Sequence, residues 1–518
     1  MLAVFGLINR RLVVRKWLET QEHSFYNEGM KAKDPAYYNA CISRDPRFDG
    51  VFFVGVITTG IYCRPVCPAK KPKATNCRFF NSAEAAEKAS FRPCLRCRPE
   101  LAPGNAPIDN VQRIAHLILH RIDEAMIGNK EVNLEDIAIH FNLSSRQIRR
   151  ILQKELGVSP IELIQTRRLL LAKQLLTETS FSVTQIAYTS GFSSLRRFND
   201  AFSRRYGMAP SRLRKQATQN EIIKPSTTAV LQLGYRPPYD WQGVLQFLST
   251  RLLKGTEWIT PECYARTVRL GEHSGWFRVQ NAPEKNVLLL EFTHSLMPVL
   301  PALLGRIRNL FDLDARPDII AQQLMQDKLL KKVVAQNPGL RVPGTFDGFE
   351  MAVRAILGQQ ITVKAATTLA SRFIAAFGEE VETPFDELTL FAPSPDRIAK
   401  ATVDEIAKLG IISSRAKSII ALAKICMSNA LSLEIGADPE AVIKQLKELP
   451  GIGQWTAHYI AMRALRWPDA FLKDDIAIRN KFGGITAKQL DELSQAWRPW
   501  RSYAVLHIWH SPTLNLCS

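Results

Sequence analysis

The sequence predicts a multidomain fold, mainly α with small α/β parts, on three observations. Two close cysteine pairs, Cys63/Cys67 and Cys94/Cys97, mark a small turn-rich metal site. A helical pattern recurs at an offset of 49 to 50 residues between positions 137 and 210. A Leu-Pro-Gly-Ile-Gly turn at 449–453 separates two helical stretches, and Asp475 lies twenty-two positions past its last glycine. The expected parts are a metal-binding α/β domain (30–109), an all-α double helix-turn-helix (110–215), a linker (216–228), a small mixed α/β domain (229–314) and an all-α helix-hairpin-helix core (315–518). Residues 1–29 form an unassigned N-terminal extension.

The 518 residues suffice for about three to four domains, and a hydrophobic content of 46% supplies packed cores. A net charge of +19 calls for an anionic partner; nucleic acid and an acidic membrane both satisfy it. No basic amphipathic helix stands apart from the DNA-binding motifs below, which disfavours the membrane. No run of about eighteen apolar residues occurs, so no transmembrane helix is expected. The apolar stretch at 2–8 is short and has no basic region before it, which makes a poor signal peptide. A cytoplasmic protein is expected, with Met30 as an alternative start to Met1.

In the first domain Cys63-x3-Cys67 is followed after 26 residues by Cys94-x2-Cys97. Two such pairs on turns can surround zinc with four thiolates, and a reducing compartment favours a metal over disulfides. Cys41, Cys77, Cys263, Cys426 and Cys517 show no partner spacing. The stretches ITTGIYCRPVCPAKKP (57–72) and FRPCLRCRPE (91–100) resemble the N-terminal domain of Ada, the bacterial methylation-response regulator, over about residues 34–101. The resemblance implies that Cys63 accepts a methyl group from a DNA methylphosphotriester and that Thr59, Lys70, Arg92 and Arg96 contact DNA. Zinc holds sulfur as thiolate, the nucleophilic form. Methylating one of four thiolates takes the formal charge of the centre from −2 to −1, which reduces repulsion from phosphates and tightens DNA binding. Residues 30–109 hold 13 Lys/Arg against 7 Asp/Glu, as a DNA-facing domain would.

In the repeat, Ile137-Ala138 recurs as Ile186-Ala187, Ser144-Ser145 as Ser193-Ser194, and Gly157 with Pro160 as Gly207 with Pro210. The first copy places Ile148, Ile151, Leu152 and Leu156 on one helical face and Arg146, Arg149, Arg150 and Gln153 on another. In the second, Leu195, Phe198, Phe202 and Tyr206 face inward, with Arg196, Asn199, Asp200 and Ser203 outward. Two such helices suit successive stretches of major groove. The signature IAYTSGFSSLRRFNDAFSRRYGMAPSRLR (186–214) resembles the AraC-type DNA-binding domain, over roughly residues 111–215. Residues 110–215 contain 17 basic and 9 acidic side chains. Arg146, Arg149, Arg150, Arg196, Arg197 and Asn199 are the DNA-contact candidates; a solvated arginine face is the plainer alternative.

The polar segment 216–228 lacks helical periodicity. After it, residues 266–270, 275–279 and 286–292 read as strands flanked by helices, and from about Ala315 the chain is chiefly helical.

Around the 449–453 turn, Ala441, Ile443, Leu446 and Leu449 suggest an entering helix, and residues 454–465 a leaving one. Gly451 and Gly453 let the backbone turn tightly, and the amides opening the second helix can hold a phosphate without reading sequence. An ordinary helix–helix turn would look the same. The stretches RAILGQQITVKAA (354–366), LPGIGQWTAHYIAMRAL (449–465), FLKDDIAIRN (471–480) and WRPWRSYAVLHIW (497–509) resemble helix-hairpin-helix DNA glycosylases of the AlkA, 3-methyladenine type. This resemblance spans roughly Leu231 to His510, and the 229–314 segment matches the family's small α/β domain.

The resemblance implies that Asp475 is catalytic, that Leu449, Gly451 and Gly453 grip DNA, and that Trp455, Tyr459 and Trp509 line the base pocket. Asp474 is the rival carboxylate and is expected to cap or orient the following helix. Strand-cutting relatives carry a lysine at the Trp455 position; tryptophan cannot attack the sugar, so a monofunctional enzyme leaving an abasic site is implied. Cleaving an N-glycosidic bond builds positive charge on the sugar, which a preorganised carboxylate stabilises once the base has left the stack. Electron-poor alkylated purines favour aromatic faces. Family members insert an apolar wedge where this chain has Gln359-Gln360-Ile361, so Gln360 is the candidate intercalating residue.

The expected protein is therefore an alkylation sensor, transcriptional activator and alkylbase glycosylase in one chain. Its partners are double-stranded DNA and RNA polymerase, its cofactor is zinc, and the glycosylase requires none. The Pro-Cys-His-Arg signature of an O6-methylguanine methyltransferase and the clustered cysteines of iron–sulfur glycosylases are absent. The alternative is a regulator whose glycosylase part is inactive and only binds DNA.

Overall fold

The computed structural model describes residues 35–103, 118, 121–122, 133–140, 143–218, 227–435 and 437–511. The 1–29 extension, Met30, positions 219–226 of the expected linker and Cys517 lie outside the described residues.

Alternation of side chains along short strands builds the first sheet. β1 (Phe53–Val56), β2 (Ile61–Cys63), β3 (Cys77–Phe80) and β4 (Arg92–Pro93) lie in the order β3-β1-β2-β4. β1 pairs antiparallel with β2 and β3; β2 pairs parallel with β4, Tyr62 opposite Pro93. α1 (Pro35–Ser43) packs Ala40 and Cys41 with Phe52, Val54 and Phe79. α2 (Ala83–Lys88) packs Ala83 and Ala86 with Phe53, Tyr62 and Phe80 on the other face.

In the first repeat, α3 (Leu134–His140) meets α4 (Ser145–Leu156), which opens on a Ser144/Gln147 capping box and ends at left-handed Gly157. Ile148, Leu152 and Leu156 bury with Ile137, Ala138 and Leu163 in a core of their own. α5 (Pro160–Glu178) leads to the second repeat, α6 (Val183–Thr189) and α7 (Leu195–Tyr206), the latter capped by Ser194 and ended by Gly207. Phe198, Phe202 and Tyr206 join a different and much larger core, one that continues as far as Ile508. α8 (Pro210–Thr218) extends into the expected linker.

The second sheet comprises β5 (Thr228–Gly234), β6 (Glu257–Ile259), β7 (Cys263–Leu270), β8 (His273–Ala282) and β9 (Val287–Thr293), ordered β5-β9-β8-β7-β6 and antiparallel throughout. β7 and β8 contain the first two strands read from the sequence, and β9 matches the third except at Asn286, which is left-handed at φ 53°. The helices that build the site follow: α9 (Trp241–Ser249), between β5 and β6, then α10 (Gly348–Leu357), α11 (Val363–Phe377), α12 (Ser413–Met427), α13 (Pro439–Glu448), α14 (Gln454–Arg463), α15 (Ile476–Lys481) and α16 (Arg501–His510).

α5 is buried on two sides, which explains polar residues with no access to water. Lys173 donates to Glu100 (2.5 Å) and to the Cys94 carbonyl (3.3 Å). Gln174 donates to the Gln232 carbonyl of β5 (2.9 Å), and Glu178 accepts the Gln232 amide (3.0 Å) while pairing with Arg98. Arg236, fully buried just after β5, donates to the carbonyls of Asp49 (2.9 Å) and Asp314 (2.8 Å). The first domain is thus hydrogen-bonded both to the helix joining the repeats and to the second sheet.

Candidate active site and metal centre

The parallel β2/β4 pairing sets Cys63 and Cys94 side by side: the Cys94 amide donates to the Tyr62 carbonyl (3.0 Å). Turns supply the other two sulfurs. The Cys67 amide closes on the Arg64 carbonyl (3.1 Å), and the Arg64 amide donates to Cys97 Sγ (3.3 Å). The Arg96 amide donates to Cys94 Sγ (3.4 Å). All four sulfurs lie within 4.8 Å of one another. Tetrahedral zinc at ordinary Zn–S lengths needs sulfurs about 3.8 Å apart, so this soft donor set fits it. Hydrogen bonds shared among the four sulfurs couple them, raising the Cys63 thiol and lowering Cys67. Arg64 braces the centre by donating to the Cys97 carbonyl (3.1 Å) and to Asp49 (2.8 Å).

Thr59, Lys70, Arg92 and Arg96 are all exposed; Thr59 sits in the β1–β2 turn, and the Arg92 guanidinium lies beside Gly207 of the second repeat. On α4, Arg146, Arg149 and Arg150 face solvent opposite the buried Ile148/Leu152/Leu156 face. On α7, Arg196 and Arg197 are exposed and Asn199 is half-buried.

The hairpin joins α13 to α14. Leu449 ends α13, Gly451 takes φ 75°, and Ile452 plugs the core. A Cβ on Gly451 would stand 2.6 Å from Ser418 Oγ, so this position needs glycine both for its φ and for its neighbour. Gly453 is the N-cap of α14 and lends no side chain, which leaves the first-turn amides without a side-chain cap.

α14 presents Trp455, Tyr459 and Arg463 at successive i+4 positions. Trp455 stacks on Tyr459 (centroids 5.0 Å, 20°), and Tyr459 tilts against Trp509 (6.3 Å, 59°). The three expected pocket aromatics are therefore together. Trp455 Nε1 donates to Asp475 Oδ2 (2.9 Å), while Asp475 Oδ1 accepts the Ile478 amide (2.9 Å). Asp475 is thus the N-cap of α15 and is buried; Asp474 is exposed. This corrects the expectation that Asp474 caps the helix. The helix begins one residue later, so a single carboxylate both caps and faces the aromatics. At the other end of α15, Lys481 donates to the Ile508 (2.7 Å) and Trp509 (3.0 Å) carbonyls, fixing the end of α16 that carries Trp509.

Sequence reasoning missed further neighbours of these aromatics. Phe247 of α9 stacks on Trp509 (6.5 Å, 18°), Arg251 lies over Phe247 (3.8 Å), and Arg463 donates to the Tyr459 hydroxyl (3.0 Å). Burial alone would raise the Tyr459 phenol, but Arg463, Arg251 and Arg354 pull it down to about 8. The cluster is therefore not purely aromatic, since guanidinium groups pack against its rings. The i+4 stripe through Arg463 was the available signal; nothing in the sequence pointed to Phe247.

Gln360, between α10 and α11, is exposed with φ 55°.

Four family profiles match the chain: the metal binding domain of Ada at 36–100, a helix-turn-helix domain at 137–216, the AlkA N-terminal domain at 230–347, and the HhH-GPD superfamily base excision DNA repair protein at 353–500. The chain is 36% identical over 480 residues to the probable bifunctional transcriptional activator/DNA repair enzyme AlkA of Mycobacterium tuberculosis (strain H37Rv), covering 91% of this chain and 95% of that one. It is 37% identical over 279 residues to DNA-3-methyladenine glycosylase 2 of Escherichia coli (strain K12), covering 54% and 96%. It is 30% identical over 205 residues to the bifunctional transcriptional activator/DNA repair enzyme AdaA of Bacillus subtilis (strain 168), covering 39% and 92%.

Proposed function

Because the chain belongs to the family of bifunctional transcriptional activator/DNA repair enzymes that join Ada-type and AlkA-type parts, we propose specific residues for each of its activities. The protein is a DNA alkylation-response protein: a methyl-accepting, DNA-binding regulator fused to a 3-methyladenine-type DNA glycosylase.

For the glycosylase, Asp475 is the catalytic carboxylate. Two hydrogen bonds aim it, and the Trp455/Tyr459/Trp509 rings receive the flipped base beside it. As the N-glycosidic bond breaks, its electron pair leaves with the base and Asp475 stabilises the cationic sugar. Water then adds to the sugar and loses a proton, leaving an abasic site. Trp455 offers no amine, so the strand stays intact. Leu449, Gly451 and Gly453 hold the flanking phosphates, and Gln360 enters the gap. No cofactor is needed for these steps.

For the sensor, Cys63, Cys67, Cys94 and Cys97 would hold zinc, which supplies ionised sulfur at neutral pH. Cys63 Sγ attacks the methyl carbon of a phosphotriester: an S–C bond forms, the C–O bond breaks, and the phosphodiester anion leaves with the electron pair. Thr59, Lys70, Arg92 and Arg96 face that DNA. The α4 and α7 arginines, with Asn199, read the operator, and RNA polymerase is the activator's further partner. No helix among the described residues is long and apolar enough to cross a membrane, in keeping with a cytoplasmic, nucleoid-associated protein.

The observation that carries the glycosylase reading is the buried Asp475 carboxylate bonded to the indole of a stacked pocket ring. Base release from methylated duplex by wild type and by Asp475→Asn tests it. Release of 3-methyladenine that disappears in the variant supports Asp475. A second reading, a regulator with an inactive glycosylase part, rests on the polar Gln360; no release by folded, DNA-binding wild type would establish it.

A further inference from the structure

The loop between α10 and α11 contains two adjacent glutamines. Gln359 is half-buried, and both of its side-chain bonds leave its own loop. Its Nε2 donates to the Gly451 carbonyl (2.8 Å) and to Thr456 Oγ1 (3.1 Å), reaching 92 and 97 positions along the chain. Its backbone carbonyl accepts from Arg415 at the start of α12, and Ser418 of the same helix donates to the Pro450 carbonyl (2.6 Å). Loop and hairpin are therefore bonded to each other, and both are bonded to α12. Gln360 is exposed and holds φ 55°, a conformation that persists in a residue with a Cβ only where its surroundings impose it.

A primary amide has two N–H donors. Both of Gln359's are committed to the protein, which leaves contact with DNA to Gln360. In damaged duplex, the gap left by a flipped base and the flanking phosphates lie at a separation fixed by the DNA backbone. A protein that fills the gap from one loop and grips phosphates with another must hold those loops at the matching separation. Gln359 is the side chain that spans them. Through Thr456 it also reaches α14 one residue from Trp455, whose indole is bonded to Asp475.

We propose that Gln359 is a positioning residue that sets the register between Gln360, which enters the DNA, and the 451–453 hairpin, which holds the backbone. The proposal rests on the glycosylase reading above, and its test separates the two.

Gln359→Met keeps the side chain's length and removes its donors; Thr456→Val removes one acceptor without changing shape. Each full-length variant is titrated against duplex carrying a tetrahydrofuran abasic analogue and against undamaged duplex. Single-turnover release of 3-methyladenine is followed in parallel. Gln359→Met is expected to weaken binding to the abasic duplex about tenfold more than to undamaged duplex. It should raise the DNA concentration giving half-maximal release while changing the saturated rate less than about threefold. Thr456→Val should show a smaller shift in the same direction, and the double variant should lose little more than Gln359→Met alone.

Equal weakening on both duplexes would overturn the proposal. So would a loss confined to the saturated rate, or a loss that tracks a fall in melting temperature. Absence of base release by wild type would end the glycosylase reading, while the abasic-binding comparison would still decide the role of Gln359.

Discussion

The indole nitrogen of Trp455 donates to Oδ2 of Asp475 across 2.9 Å, so one side chain both stacks on Tyr459 and aims the carboxylate. Trp455→Phe keeps a face and deletes the donor. Release of 3-methyladenine is expected to fall about tenfold with abasic-site binding nearly unchanged. Single-turnover kinetics check this; an unaltered rate would mean that the hydrogen bond does not position the carboxylate.

Tyr459 gives this aromatic cluster a pH dependence. Its phenol sits near 8 against an ordinary value near 10, because Arg463, Arg251 and Arg354 outweigh burial. Between those values the folded protein has lost a proton that the unfolded chain retains. Stability from this group therefore rises with pH through that window and is absent below it. The gain is at most about 3 kcal/mol. Denaturant midpoints across the window should rise relative to Tyr459→Phe. Release of cationic bases relative to neutral ones should climb in wild type as the phenolate forms, and stay flat in the variant.

Lys173 and Glu100 form an ion pair with both side chains 1% exposed. Lys173→Met leaves Glu100 buried with Arg98 as its remaining ion-pair partner among the described residues and is expected to cost about 3 kcal/mol. Adding Glu100→Gln should recover part of that loss. Chemical denaturation of the single and double variants reads the difference, and a neutral single variant would show that the pair is replaceable.

Chelating the metal should raise hydrogen exchange across 35–103, since the sulfur cluster closes this small domain. Methylated DNA should tighten operator binding in wild type and not in Cys63→Ala, measured by titration on the same operator fragment. Equal tightening in both would remove Cys63 from the switch.

The chemistry-bearing residues were legible because spacing encodes them. Four cysteines in two close pairs come together within 4.8 Å, and Trp455, Tyr459, Trp509 and Asp475 lie in one chain of ring contacts and a hydrogen bond. The cap was misread by one residue, since Asp474 and Asp475 are equally good caps and only the helix start chooses between them. Arg251 and Arg463 were missed because charged residues in a sequence read as solvated, and only tertiary packing brings their guanidiniums over Phe247. The burial of Lys173 was invisible for the same reason. A helix pattern shows which face is apolar and not whether its polar face will also be covered.

The large core that runs from the second helix-turn-helix repeat to Ile508 bears on where this chain can be divided. Proteins are ordinarily cut at linkers, and 219–226 is the obvious place here. A break there would separate Phe181 from His294, and would part Gln174 and Glu178 from Gln232. Among the described residues, the first repeat buries Ile148 and Leu152 in a separate core. The seam between reader and repairer in the sequence is therefore not a seam in the packing, and a fragment beginning at Thr228 inherits a sticky, half-uncovered sheet edge rather than a finished surface.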